Sequence, residues 1–147
     1  MGGKRHLEGF TIITENMKVN VNMNRLNRNL GRAQKWLDSQ IMTDMVPLMP
    51  QNTGAFIDKT RTQSAALAGS GVIVAAAGPE GRFLYEGKVM VDPETGSPWA
   101  RKGAKKVVTD RPLTYSNPNA RPEWFEVAKK KHKREWVDGV QKKVEGK

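Results

Sequence analysis

Cysteine is absent from this chain of 147 residues, and histidine occurs only twice. Without thiols the chain cannot form a disulfide framework, a thiolate zinc site or a cysteine nucleophile, which fits a protein made in a reducing cytosol. No stretch approaches the ~18 apolar residues of a membrane-spanning helix, and MGGKRHLEGF lacks the apolar run of a signal peptide. We therefore expect a soluble protein with no redox chemistry at sulfur.

Motifs for catalysis or cofactor binding are also missing. His, Asp and Glu do not cluster at the spacings of metal ligands, and the GSG at 69–71 lacks the lysine and helix of a phosphate-binding loop. Glu86 follows an aromatic residue at the end of a predicted strand. Its possible partner carboxylates, Asp92 and Glu94, lie in a predicted mobile arm and nothing identifies a pocket, so a structural or interface role is favoured. His132 is expected to be partly buried and hydrogen-bonded. We predict no enzyme activity, metal or cofactor.

What the chain does have is positive charge. Its 25 Lys and Arg against 15 Asp and Glu give a net charge of +10. Such an excess favours polyanionic partners, namely nucleic acid, an acidic membrane face or an acidic protein, without choosing among them.

Two segments have clear helical periodicity. Apolar residues recur every three or four positions from Leu26 to Leu48, with Pro47 and Pro50 marking the end of this helix. A second apolar repeat runs from Phe125 to Val140, with Pro122 in the first turn and Gly139 weakening the last. The helix anchors predicted for the core are Leu30, Leu37, Ile41, Trp124, Phe125 and Trp136.

The segments before and between these helices are predicted to be extended. FTIIT and the alternating residues 19–24 indicate short strands or extended segments, and the second could equally be the entry to the next helix. AFIDKTRTQSAAL at 55–67 is expected to be extended, GVIVAAAG at 71–78 to be a buried strand, and RFLYEG at 82–87 to pair with it across the turn GPEG. KVMVD could pair locally across PETGS.

Residues 88–118 have no sustained period and are rich in Gly, Pro, Ser and Lys, so we predict a long arm or loop. The whole chain is then one α+β domain. An N-terminal amphipathic helix and a C-terminal helix pack on a small, mainly antiparallel sheet. Residues 1–9 are expected to form a flexible leader and residues 142–147 a flexible tail.

The predicted arm offers two kinds of contact. Apolar and aromatic side chains could anchor it to a neighbouring subunit; they are Tyr85, Val89, Val91, Trp99 and Tyr115. A basic group could face DNA or a protein partner; it comprises Arg101, Lys102, Lys105 and Lys106. KKKHKR at 129–134 is also basic, but on a helix such a run surrounds the axis, so part of it must be solvated.

Three blocks in order resemble a known family, the minor capsid proteins of tailed bacteriophages that infect Gram-positive bacteria, which are related to phage neck and tail-completion proteins. They are PLMPQNTGAF, FLYEGKVMVDPETGSPW and WFEVAKKKHKREW. With the segments between them, the resemblance covers about residues 25–140. Phe56-Ile57-Asp58 departs from the leucine and basic residue that are common in the neck proteins.

The resemblance implies a structural subunit of the virion neck that is made in the bacterial cytoplasm. Such a subunit would form a ring with itself, expected to be a hexamer, between the portal or head-completion proteins and the tail terminator or tail tube, around the DNA channel. Contact with packaged double-stranded DNA would be non-specific. The alternative is a basic nucleic-acid-binding module that uses the arm and residues 129–134.

Overall fold

The computed structural model describes residues 6–51 and 54–146. Its helices and strands, in chain order, are β1 (Phe10–Ile13), β2 (Lys18–Val21), α1 (Asn24–Met45), a short 3-10 turn (Val46–Leu48), α2 (Ala55–Ala66), α3 (Gly81–Glu86), β3 (Lys88–Val91), β4 (Val107–Pro112) and α4 (Trp124–Val144). Among the described residues, β1 pairs only with β2, and β3 only with β4, both antiparallel.

Helices α1 and α4 are the long elements, and they pack along each other. The Asn29 side chain donates to the Val144 carbonyl at 3.0 Å, while the indole of Trp136 donates to the Asp44 carboxylate at 2.6 Å. Because the start of α1 meets the end of α4, the two helices are antiparallel. Both predicted helices are therefore confirmed, although α4 begins two residues after Pro122.

Gly139 does not interrupt α4. The Trp36 ring of α1 occupies the space that a Cβ atom at this position would fill. The glycine allows the two helices to approach closely here, which explains its presence inside a helix despite its poor helix propensity.

The core lies where α4 crosses the end of α1 and the start of α2. Trp124 is fully buried at its centre, and its indole N–H donates to the Ala75 carbonyl at 2.9 Å. The rings of Phe56 and Tyr85 meet Trp124 edge-on at centroid distances of 5.9 and 4.8 Å. The other buried members of this cluster are Met42, Met45, Met49, Ile57, Ala128 and Trp136.

The prediction of an extended segment over 55–67 is wrong, because Ala55–Ala66 is helix α2. Its buried face consists of Ile57, Thr60 and Ser64. Two of these three residues are polar, so the helical period does not show as an apolar stripe. The Thr60 hydroxyl donates to the Phe56 carbonyl, which satisfies it within the helix.

The predicted strand at 71–78 is also wrong, because this segment crosses α2 without regular structure. Side chains take the place of a neighbouring strand. The Ser64 hydroxyl contacts both the Val74 carbonyl and the Val74 N–H at 2.9 and 3.0 Å, and the Ala77 N–H donates to the Thr60 hydroxyl. The buried backbone is thus hydrogen-bonded without a sheet.

RFLYEG is not a strand either, since Gly81–Glu86 forms the short helix α3. Gly87 ends it in the left-handed conformation (φ 70°), donating its N–H to the Phe83 carbonyl. Short apolar runs fit both helix and strand, and here packing against Trp124 selected the helix. The predicted central sheet over 71–87 is therefore absent.

Residues 88–118 do not form a free arm. β3 does contain KVMV, but it pairs with Val107–Pro112 and not across PETGS. Beyond β4 the chain returns to its own core. The Leu113 N–H donates to the Gly87 carbonyl, the Tyr115 hydroxyl to the Leu84 carbonyl, and the Asn117 amide to the Met49 carbonyl.

The chain near both ends also contacts α1. Leu7 exchanges two hydrogen bonds of 2.8 Å with the side chain of Asn27, so this part of the predicted leader is attached; residues 1–5 lie outside the described part. Residues 142–144 belong to α4 and are not a tail. Residue 147 lies outside the described part, as do residues 52 and 53 of the block PLMPQNTGAF.

The predicted α+β class is confirmed, with helices and small antiparallel sheets. The two long helices pack on each other, however, and not on a sheet. Among the described residues, no helix is long and apolar enough to cross a bilayer.

Candidate assembly interface

A tight loop follows β3 and connects it towards β4. We call residues 92–101 the Asp92 loop. Asp92 is fully buried, and its carboxylate accepts hydrogen bonds from the N–H groups of Glu94, Thr95 and Arg101 at 2.9, 3.3 and 3.0 Å. One side chain therefore joins both ends of the loop.

Arg101 completes this arrangement. Its Nε donates to Asp92 Oδ2 at 2.9 Å, and its Nη1 lies 2.7 Å from Glu94 Oε2. Hydrogen bonds from the Arg101 side chain, and then from the backbone N–H groups of Arg101 and Glu94, hold the pKa of Asp92 well below its ordinary value of 3.8. The guanidinium is thus used inside the protein and closes the loop.

The loop presents a tryptophan to solvent. The Trp99 N–H donates to the Ser97 hydroxyl at 3.1 Å, which holds the backbone, while the Trp99 side chain is 86% exposed. Gly96 supplies the left-handed turn (φ 69°) that reverses the chain. An exposed indole on a hydrogen-bonded loop is typical of the anchors that dominate binding energy in protein interfaces.

Three lysines follow the Asp92 loop. Lys102, Lys105 and Lys106 are exposed, and no ion pair forms to them from the described residues. Of the four predicted basic contacts, these three remain available to a partner, whereas Arg101 is paired.

The predicted subunit anchors divide in the same way. Tyr85 packs on Trp124, Val91 is buried, Val89 is partly buried, and Tyr115 donates to the Leu84 carbonyl. Burial raises the pKa of both tyrosine hydroxyls. These four residues hold the segment on its own domain, and Trp99 alone among the predicted anchors projects outward.

The predicted helix anchors lie in or beside the core. Trp124 and Trp136 are buried, and Leu37, Ile41 and Phe125 pack against the core cluster. Leu30 is partly buried and lines an open groove of about 970 Å³ between α1, the end of α4 and residues 66–71. Leu37 and Val140 line the same groove.

A second exposed apolar surface lies on the β1–β2 hairpin. Phe10 and Ile12 pair with Val21 and Val19 across the strands, so these side chains share one face. Phe10 and Ile12 are each 50% exposed. Isolated two-stranded hairpins are at best marginally stable in water, so a partner on this face would stabilise it.

The residues weighed for chemistry are in simple surroundings. Glu86 is exposed and lies 3.5 Å from Arg82, one turn away on α3. His132 is partly buried and contacts Glu135 at 3.0 Å, as its position predicted. Among the described residues, no three His, Asp or Glu side chains come together as a metal site.

Comparison with known proteins finds no relative: no family model, no curated protein and no solved structure matches the chain.

The Asp92 loop is the feature that sequence reasoning missed in part. Its signal was an aspartate followed by Pro and then by Thr-Gly, a turn pattern in which Asp accepts from nearby N–H groups. The pairing with Arg101, nine residues away, has no sequence signal.

Proposed function

We propose that this protein is a structural subunit of the head–tail joint of a tailed bacteriophage, a neck or tail-completion protein. In this role it would assemble into a ring around the DNA channel, between the head-completion proteins and the tail terminator or tail tube. The three ordered sequence blocks support the family, and the exposed Trp99 on the Asp92 loop carries the assembly role.

A ring requires two different surfaces on each subunit, one for each neighbour. Trp99 and the apolar face of the β1–β2 hairpin are candidates for the inserting surface. The groove lined by Leu30, Leu37 and Val140 is a candidate for the receiving surface, because its volume exceeds that of an indole ring. Both lie on one chain, as a head-to-tail contact requires.

Replacing Trp99 with alanine in the phage tests this role. We expect a folded protein, free filled heads and free tails, and infectious titre lowered by about 100-fold or more, because a central aromatic anchor contributes ~2 kcal/mol or more at each of several contacts. Val137→Ala is the matched control, since Val137 is an exposed apolar residue on α4, outside the loop. Electron micrographs of lysates give the ratio of joined particles.

Normal joining by the Trp99→Ala phage would remove the loop from the assembly contact. Two results together would contradict the head–tail function itself. They are normal joining after deletion of the whole gene and absence of the protein from purified particles of the unmodified phage. Light scattering gives the oligomeric state of the purified protein. Cryo-electron microscopy of the particle shows whether a ring lies between portal and tail.

A further inference from the structure

Four basic side chains follow one line on the outer face of α1. They are Arg25, Arg28, Arg32 and Lys35, and all four are exposed. Their spacings of three, four and three residues place them within about 80° around the helix axis, and at 1.5 Å per residue the row is about 15 Å long. Because a helix is stiff, the row is straight and its spacing does not depend on loop conformation.

No carboxylate of α1 shares this face. The helix has two acidic residues, and both point elsewhere. Asp38 is buried and accepts the N–H groups of Gly69 and Gly71 at 2.8 and 3.1 Å, whereas Asp44 accepts the indole of Trp136. Within residues 6–51 and 54–146, no ion pair neutralises any of the four cations.

The other basic segments are less suited to a polyanion. Arg101 is paired with two carboxylates in the Asp92 loop. The cations of residues 129–134 point around α4, where Glu126, Glu135 and Asp138 are interspersed, and His132 contacts Glu135. Among the basic segments that the structure describes, only the face of α1 combines a straight row, exposed side chains and freedom from acidic neighbours on its own helix.

We propose that the outer face of α1 binds the phosphate backbone of duplex nucleic acid without reading its bases. A strand of duplex DNA carries one phosphate per 3.4 Å of axis, so a row about 15 Å long faces roughly four phosphates. An anionic membrane is less well matched, because membrane-surface helices carry large apolar side chains beside their cations. Here Ser39 and Thr43 continue the row. The inference does not depend on a role in the head–tail joint.

The test measures binding of a fluorescent 30-base-pair duplex to the purified full chain at 50 and 200 mM salt. For four phosphate contacts, the affinity of the unmodified protein should fall about 150-fold between these concentrations. The variant Arg28→Gln/Arg32→Gln/Lys35→Gln keeps one contact, so its affinity should fall only about 4-fold. Glutamine keeps the helix propensity of the exposed positions, and thermal melting checks the fold.

Lys129→Gln/Lys130→Gln/Lys133→Gln is the matched control, because it removes the same charge from exposed positions on α4. It should keep a steep salt dependence, and two unrelated duplex sequences should bind equally well. Equal losses in both triple variants would overturn the proposal, since net charge alone would then explain binding. It would also be overturned if the protein bound phosphatidylserine vesicles but no duplex at 50 mM salt.

Discussion

Trp124 and Trp99 show how differently the helical core and the Asp92 loop use the same residue type. Trp124, the first residue of α4, is fully buried against α2 and α3, and its indole N–H donates to the Ala75 carbonyl. Trp99 is 86% exposed on a loop held by a buried carboxylate. In the helical part the large ring stabilises the fold, whereas in the Asp92 loop the polar network provides order and leaves the ring for a partner. Burial, not residue type, separates the two roles.

The largest expected difference in unfolding free energy is between variants that lack one or the other of these two indole rings. Trp124→Ala should lower the free energy of unfolding by about 3–5 kcal/mol, because it leaves a large cavity in the core. Trp99→Ala should change it by less than about 0.5 kcal/mol, as exposed positions usually do. Urea unfolding followed by circular dichroism measures both. Comparable losses in the two variants would mean that Trp99 is buried in solution.

Two helical glycines allow the same comparison of a packed and an open position within the pair α1 and α4. Gly139→Ala should cost about 1–3 kcal/mol of unfolding free energy, because the Trp36 ring must move. Gly31→Ala is the control on α1, where no described atom outside the neighbouring residues and the backbone of the same helix lies within 4 Å of an added Cβ. It should stabilise the protein by about 0.5–1 kcal/mol through helix propensity. Thermal melting measures both variants. If both substitutions stabilise the protein, the close packing of Trp36 on Gly139 is wrong.

The smallest expected effect is the loss of stability of the Asp92 loop at low pH. Because the folded pKa of Asp92 is lowered, its stabilising contribution is complete above the ordinary value of 3.8 and is lost as pH falls below that value towards the folded pKa. We expect the Arg101 Nε–H resonance to lose its distinct shift in this range, while the circular dichroism of the helices changes little. Asp92→Asn should abolish this transition.

Glu94→Gln is the control for that experiment. Glu94 is exposed and pairs with Arg101 only at the surface, so this variant should keep the transition. If the helices instead unfold together with the loop, the Asp92 network and the helical core are one cooperative unit, and the separation drawn between them is wrong.

The elements that sequence reasoning identified are those with long, regular apolar patterns. Helices α1 and α4 each carry a long apolar stripe. Strand β1 lies within FTIIT, and β2 covers only the first part of the alternating residues 19–24, because it ends at Val21. Helix α2 was missed because its buried face includes two hydroxyl residues, Thr60 and Ser64. Those same hydroxyls bind residues 74 and 77, so the apolar segment 71–78 needs no strand partner.

The candidate interface was predicted only in part. Trp99 and the three lysines after the Asp92 loop are exposed, but Tyr85, Val91 and Tyr115 contact their own chain. Their aromatic and apolar character suits an interface and a core equally well. The two cases differ in contacts between residues distant in sequence, namely Tyr85 with Trp124 and Tyr115 with the Leu84 carbonyl, so local patterns could not distinguish them.

The amino-acid sequence by itself determined the absence of thiol chemistry, the excess of positive charge, the α+β class and the two long helices, because composition and periodicity are local properties. Only the tertiary structure decided which charges remain free. Asp38 turns inward to bind the N–H groups of residues 69 and 71, and Arg101 is paired with Asp92, so a continuous basic face is left on α1 and not in the loop. Hydrogen bonds between segments distant in sequence, which no local pattern encodes, made that choice.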